Sequence, residues 1–328
     1  MGASRTIRHL AFALLCVTIG FAAPTFSQAQ KEFPNRPIRV IVPFTAGSGS
    51  DTSARFFGEK LSPLIGQPFV VENRPGASGV VAVMTVKNAP ADGHMILLAS
   101  NSPLAVNPVV IKDLPYDPAK DLRPLSGLSR GMNAFVTAPD GPFVSVADFV
   151  SIAKKGPKPV TIGTYSAGYH LAVEWFAGLA GIKFTNVPYK GGAQVFTDVM
   201  GRQLDVGIVD LGGAASLIKS GRLRALSVSG ERRHDEFPNV PTLRESGFPE
   251  YVTYSWTSFY VRAETPDDIT ARLADALQKV LASNETRNYI KSVSAELMPY
   301  PPAAMLKYQR EELERFRRIA EAAGIKAE

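Results

Sequence analysis

The residues best suited to chemistry lie in one stretch, Pro43-Phe44-Thr45-Ala46-Gly47-Ser48-Gly49-Ser50-Asp51-Thr52-Ser53-Ala54-Arg55. It is rich in glycine and hydroxyl side chains and holds no Lys, Arg or His before Arg55. Glycine lets a backbone approach a bound group closely. The free N–H groups of a helix's first turn, together with its dipole, favour an anion. Stepping outward, Ile38–Val42 is an apolar run that reads as a strand. Beyond the loop, Ala54, Phe57, Leu61 and Leu64 recur at helical spacing. The unit is therefore strand, loop, helix, with Asp51 or Ser50 as the expected N-cap. Two readings follow: a cradle for a small carboxylate, or an ordinary βα turn with a good cap.

The same arrangement recurs. Phe69–Asn73 reads as a second strand running into Arg74-Pro75-Gly76-Ala77-Ser78-Gly79, with an apolar helix from Val80 to Val86. Met95–Ala99 is a third strand and ends in Ser100-Asn101-Ser102. Ligands of open parallel sheets bind at the carboxyl ends of strands, where these small polar loops fall. Residues 107–124 read as irregular and Leu125 to Thr137 as extended chain. Then strand, polar loop and helix return. Val160–Gly163 leads to Tyr165-Ser166-Ala167-Gly168, Phe184–Val187 to Tyr189-Lys190-Gly191-Gly192, and Leu204–Val209 to Asp210-Leu211-Gly212-Gly213. Trp256 to Val261 reads as a crossing back, and Ile269–Ala282 and Pro301–Ala323 as long amphipathic helices. The second of these carries Leu306, Leu313, Phe316, Ala320 and Ala323 on its apolar side, with its charges on a solvated face. The fold class expected is α/β: two domains joined by two crossing strands, with a ligand cleft between them. Residues 30–130 plus 256–328 would form domain 1 and residues 131–255 domain 2, joined by a hinge.

Composition limits the function classes. The chain has 328 residues, 45% hydrophobic and 20% charged, the balance of a globular protein. Residues 1–29 read as a cleavable signal peptide: Arg5, Arg8 and His9 precede an apolar core from Leu10 to Ala23 and a Ser27-Gln28-Ala29 cleavage site. Cys16, the single cysteine, sits inside that apolar core, so the mature chain has neither disulfide nor thiolate chemistry. Removing the leader takes two positive charges from a formal +6, and no block of like charge suggests nucleic acid. The chain is therefore expected to be exported.

Enzyme motifs are missing. His94, His170 and His234 lack zinc-ligand spacing, and no Gly-x-Ser-x-Gly elbow, P-loop or dinucleotide fingerprint is present. Ser151-Ile152-Ala153-Lys154 and Ser216-Leu217-Ile218-Lys219 match Ser-x-x-Lys without its companion motifs. Metal and cofactor are expected to be none.

Several strings together resemble the Bug family, the periplasmic solute receptors of tripartite tricarboxylate transporters. They are Arg36-Pro37-Ile38-Arg39-Val40-Ile41-Val42-Pro43-Phe44, Val71-Glu72-Asn73-Arg74-Pro75-Gly76-Ala77, His170-Leu171, Val187-Pro188-Tyr189-Lys190-Gly191, Ser220-Gly221-Arg222-Leu223-Arg224-Ala225-Leu226 and Val240-Pro241-Thr242-Leu243-Arg244-Glu245-Ser246-Gly247. The resemblance spans the mature chain. It implies a two-domain periplasmic-binding-protein fold of the Venus-flytrap, type II-like kind, located in the periplasm, and a receptor, not an enzyme, that holds an organic acid by backbone N–H groups, hydroxyls and waters. Carried over by position, it points to Phe44, Thr45, Gly47, Ser48, Gly49 and Asp51, to Ala77, Ser78 and Gly79, and to Ser166, Ala167, Tyr189 and Asp210. Asp51 is read first as a cap and second as a contact, and Arg55 as a structural ion pair. The implied partners are a small carboxylate and integral membrane transporter subunits, with no nucleic acid, and the receptor is expected to be a monomer.

Departures from the family pattern are Ser48 and Ser78 where glycine is usual, and a shorter segment between Ser166 and His170. The shorter loop and the aromatics Phe44, Tyr165, Tyr169 and Tyr189 suggest an aromatic diacid of the terephthalate type. The alternatives are a secreted α/β hydrolase or isomerase, which would turn substrate over, and a ligand sensor for a signalling partner.

Overall fold

The structure is a computed structural model, and it describes residues 32–327. The leader reading, with Cys16, lies outside the described residues. The first half begins with β1 (Ile38–Val42), α1 (Gly49–Ile65), β2 (Phe69–Asn73), α2 (Val80–Lys87) and β3 (Met95–Ser100). A π-helical turn at Ser102–Val106 and two short helices, α3 (Asn107–Val110) and α4 (Pro118–Asp121), occupy the stretch expected to be irregular. Next come the long β4 (Leu122–Thr137), α5 (Val146–Lys155), β5 (Val160–Thr164), α6 (Ala167–Ala180), β6 (Phe184–Pro188) and α7 (Gly192–Met200). They are followed by β7 (Val206–Asp210), α8 (Leu211–Lys219), β8 (Arg224–Val228) and β9 (Tyr254–Arg262). The chain closes with α9 (Asp267–Leu281), α10 (Asn284–Ser292), β10 (Ala295–Leu297) and α11 (Pro302–Ala322).

The strand order is β2-β1-β3-β9-β4-β7-β5-β6, with β8 and β10 pairing β4 off that path. At each end the pairs are parallel, β1 lying between β2 and β3, and β5 between β6 and β7. The repeat invisible as sequence identity is thus visible as topology: the strand that opens each half is its centre. Between the ends run the antiparallel β4 and β9. β4 pairs β9 along Leu122–Met132 and then pairs β7 along Asn133–Val136, so one strand passes from one half to the other.

Parallel strands with helices on both faces bury both sets of side chains. In β1, Ile38, Val40 and Val42 pack under α1 and α9, while Ile41 faces the opposite cluster with α2 and α11. The second half repeats this, with Phe135 and Ile162 in one cluster and Ala134, Val136 and Val209 in the other.

Several local expectations need correction. On α1 the buried positions are Ala54, Phe57, Leu61 and Ile65, whereas Leu64 is 48% exposed. Of the expected apolar face of α11, Phe316 and Ala320 are buried and Leu313 packs against the core, but Met305, Gln309, Glu312 and Ile319 are buried there as well, whereas Leu306 and Ala323 are not among the buried residues. Not all of its charges are solvated. Glu312 is buried and accepts from Trp256 Nε1 (3.2 Å), and Gln309 accepts from Tyr260 Oη (2.8 Å). Among the described residues no helix is long and apolar enough to cross a membrane.

Candidate ligand site

The loops at the carboxyl ends of β1, β3, β5, β6 and β7 converge on one cavity of about 280 Å³. That is at the small end of ligand pockets, which run roughly 300–1,000 Å³. The first wall is the turn after β1. Gly47 takes φ +80°, a left-handed conformation open to glycine, and its N–H donates to Asp51 Oδ2 (3.0 Å). The N-cap of α1 is Ser48, whose Oγ accepts from Asp51 N–H (3.2 Å), and not Asp51 or Ser50 as expected. The Asp51 carboxylate instead closes the turn from inside. It is buried, accepts from Gly47 N–H, and forms the expected structural pair with Arg55 through two bonds of 3.0 and 3.1 Å. Burial acts to raise its pKa, but Arg55, the Gly47 N–H and Asn73 outweigh that and hold the carboxyl below its ordinary value. With Asp51 turned inward, Gly47, Ser48, Gly49 and Ser50 line the cavity.

The loop after β3 adds Ser100, Asn101 and Ser102. Ser100 Oγ is buried and makes no hydrogen bond among the described residues. The opposite half contributes Tyr165, Ser166 and Tyr169, then Gly192, Ala193 and Phe196, then Asp210, Gly212 and Gly213. Ser129, Gly131, Ser255, Trp256 and Thr257 of β4 and β9 form the floor. Phe44 meets Tyr165 edge-on at 6.1 Å, and Tyr165 lies 4.3 Å from Tyr169. Tyr165 Oη donates to Tyr169 Oη (2.8 Å) and accepts from Asp210 N–H (3.2 Å). Burial raises both phenol pKa values well above the ordinary one, so these rings are neutral donors and acceptors at physiological pH. No Lys, Arg or His is among the lining residues.

The helix N-termini around the cavity are not equivalent. That of α8 is capped by Asp210, whose Oδ2 accepts from Gly213 N–H (2.9 Å). Burial raises the Asp210 pKa, against the lowering effect of the Gly213 and Gly212 N–H groups. The N-terminus of α6 is capped from the other half. Ala167 N–H donates to Ser78 Oγ (3.0 Å), Gly168 N–H donates to Ser102 Oγ (3.2 Å), and Ser102 Oγ donates to Ser166 Oγ (2.9 Å). By contrast, among the described residues neither the Gly49 nor the Ser50 N–H donates a hydrogen bond. Gly192 and Ala193 begin α7, which has no side-chain cap.

Of the residues singled out in the sequence, Phe44, Gly47, Ser48, Gly49, Ser166 and Asp210 therefore line the cavity. Thr45, Asp51, Ala77, Ser78, Gly79, Ala167 and Tyr189 do not. Thr45 abuts Gly191, where a Cβ would collide with its Oγ1. Ala77 and Ser78 hold left-handed φ values of 44° and 51°, and that turn aims Ser78 at α6 rather than at the cavity. Tyr189 donates to Asp198 (2.6 Å), away from the site. Sequence reasoning missed Phe196, Ser129, Ser255 and Thr257 as lining residues. Alternation along β4 and β9 marks a face, but says nothing of which face meets the loops.

Comparison with known proteins agrees with this architecture. The description "Tripartite tricarboxylate transporter family receptor" matches residues 53–325. Protein BugT of Bordetella pertussis is 30% identical over 95% of this chain and 96% of its own length. The structure of Rpa4515 from R. palustris with adipate has a TM-score of 0.86 at 32% identity, covering 90% of this chain and all of that one. MatC from Rhodopseudomonas palustris with bound malate gives 0.83 at 25% identity, covering 88% and 99%. The fold is that of a two-domain periplasmic binding protein. The chain belongs to the tripartite tricarboxylate transporter receptor family, a family of solute receptors, which sets aside the hydrolase and isomerase readings.

Proposed function

We propose that this chain is an extracytoplasmic receptor that captures a small organic carboxylate in the cavity and delivers it to integral membrane subunits of a tripartite tricarboxylate-type transporter. The observation that carries the reading is the N-terminus of α1. It opens with unengaged N–H groups onto a hydroxyl-lined cavity that contains no cationic side chain. In such a site backbone dipoles, not ion pairs, hold the anion. Ser100, with its unpartnered buried hydroxyl, supplies a further donor. The contacts are assigned to Phe44, Gly47, Ser48, Gly49, Ser166 and Asp210, joined by Ser100 and Ser255.

The finer ligand class we propose is a dicarboxylate with an aromatic body, of the terephthalate type. It is supported by the rings of Phe44, Tyr165, Tyr169, Phe196 and Trp256 around a cavity of modest volume. The adipate and malate of the two related structures make aliphatic diacids the competing class. Residues 30–130 plus 256–328 would move as one lobe and 131–255 as the other, flexing where β4 and β9 cross. The mature protein would act in the periplasm as a monomer after removal of residues 1–29.

A thermal-shift screen of aliphatic and aromatic mono-, di- and tricarboxylates, followed by calorimetry, tests this. Stabilisation that grows with ligand concentration, without product formation, is expected. Turnover, or indifference to every carboxylate, would sink the receptor reading. Binding of aliphatic diacids with no aromatic binding would sink only the aromatic assignment.

A further inference from the structure

Asp210 is an anomaly in a carboxylate site. Its carboxyl group lines the cavity, and its Oδ2 stands 3.3 Å from where a Cβ on Gly49, the first residue of α1, would lie. Oδ1 stands 3.4 Å from the same point on Gly131. It therefore sits beside the N-terminus of α1, whose first N–H groups are open to an arriving anion. Two carboxylates in one poorly solvated space repel strongly, and a shared proton is the usual resolution.

Among the described residues no cationic side chain neutralises Asp210 instead. On α1, Asp51 and Arg55 pair with each other. On β4, Arg130 pairs with Glu296 and Arg123 with Asp267. His170 of α6 faces Glu174 (3.2 Å), and Lys219 of α8 faces Glu236. Arg224 of β8 donates to the Phe143 carbonyl, and Asp198 of α7 accepts from Tyr189. Tyr165, Tyr169 and, on α10, Tyr289 contribute neutral phenols, while Lys291 of α10 is exposed and outside the lining set.

We propose that ligand capture takes up one proton from solvent, held between Asp210 and the bound carboxylate, so that the cavity closes over a carboxyl–carboxylate pair rather than two anions. The inference rests on the receptor reading above and adds a pH dependence to it. No covalent bond changes: a proton from solvent ends on one oxygen of the pair and is released with the ligand. The raised pKa of Asp210, caused by its burial, points the same way. Because Asp210 lines the space that any ligand enters, the effect is expected for mono- and dicarboxylates alike.

The test is calorimetry of the mature protein with benzoate, terephthalate and adipate from pH 5 to 9, in buffers of different ionisation enthalpy. Above about pH 7 the free ligand carboxyls are all ionised, so proton uptake there reports on the protein site. The expected result is uptake approaching one proton per ligand on the alkaline side, with affinity falling about tenfold per pH unit there. Asp210→Asn keeps an oxygen to cap α8 and an amide to donate to the ligand. It should bind with no proton uptake and a flat profile. Wild-type binding with no proton uptake at any pH, or unchanged uptake in Asp210→Asn, overturns the proposal while leaving the receptor reading intact. Failure to bind any of the three acids and the wider carboxylate panel overturns both.

Discussion

The two halves of this molecule share a strand order yet differ in what meets the helix that follows the central strand. In the first half β1 lies between β2 and β3, and α1 begins at Gly49 with N–H groups open to the cavity. In the second half β5 lies between β6 and β7, and α6 begins at Ala167 with its N–H groups already taken by Ser78 and Ser102 of the other half. The local motif is the same: strand, small polar loop, helix. In one half the helix terminus is left for a ligand, and in the other the protein's own hydroxyls occupy it. A βα turn is therefore an anion site only when nothing in the fold reaches it first.

Ways to break that contrast can be ranked. The largest effect is expected where a cap is buried. Ser102→Ala leaves Gly168 N–H and Ser166 without their partner and should lower unfolding free energy by roughly 1–3 kcal/mol in a denaturant titration. A change within a few tenths would mean that water replaces the hydroxyl and that the two termini are equivalent after all. Ser48→Ala removes the N-cap of α1 and should cost about 1 kcal/mol. Because that turn also lines the cavity, it should weaken carboxylate binding in the same calorimetric assay, which Ser102→Ala should do less.

Acid should distinguish the two aspartates. Asp51 has a depressed folded pKa, so its contribution is present above the unfolded carboxyl pKa and is lost as pH falls through the folded value. Asp210 has a raised folded pKa, so the folded state holds its proton more readily than the unfolded chain. In the window between the two values stability falls as pH rises. Asp210→Asn should then melt higher than wild type at neutral pH, with the gap shrinking on acidification, and a gap that widens toward low pH would contradict the assignment. The smallest effect is expected at Tyr189. Tyr189→Phe loses a partly exposed hydrogen bond to Asp198 and should change ligand affinity less than about twofold, well under 1 kcal/mol.

Much of the frame was legible before any coordinates. An apolar run between Pro37 and Pro43 placed β1 at its observed limits, because a buried parallel strand must be apolar on both faces, and the β-branched pair Val70-Val71 after Pro68 placed the edge strand β2. The helix α10 was not legible: Asn284–Ser292 is mostly polar, and only Thr286 and Ile290 are buried. The face of α11 was incomplete for a related reason. Gln309 and Glu312 are inside because Tyr260 and Trp256 offer them partners, and no hydrophobic period records that.

By itself the sequence determined the alternation of strands and helices, the polar loops at the strand ends, and the scarcity of catalytic side chains, since each depends on residues adjacent in the chain. The tertiary structure alone decided which loops meet, that Ser78 and Ser102 cap a helix some 65–90 residues away, and that Asp210 stands against Gly49. Those facts depend on how β4 and β9 join the two parallel ends of the sheet, and a relation between distant segments leaves no local pattern to read.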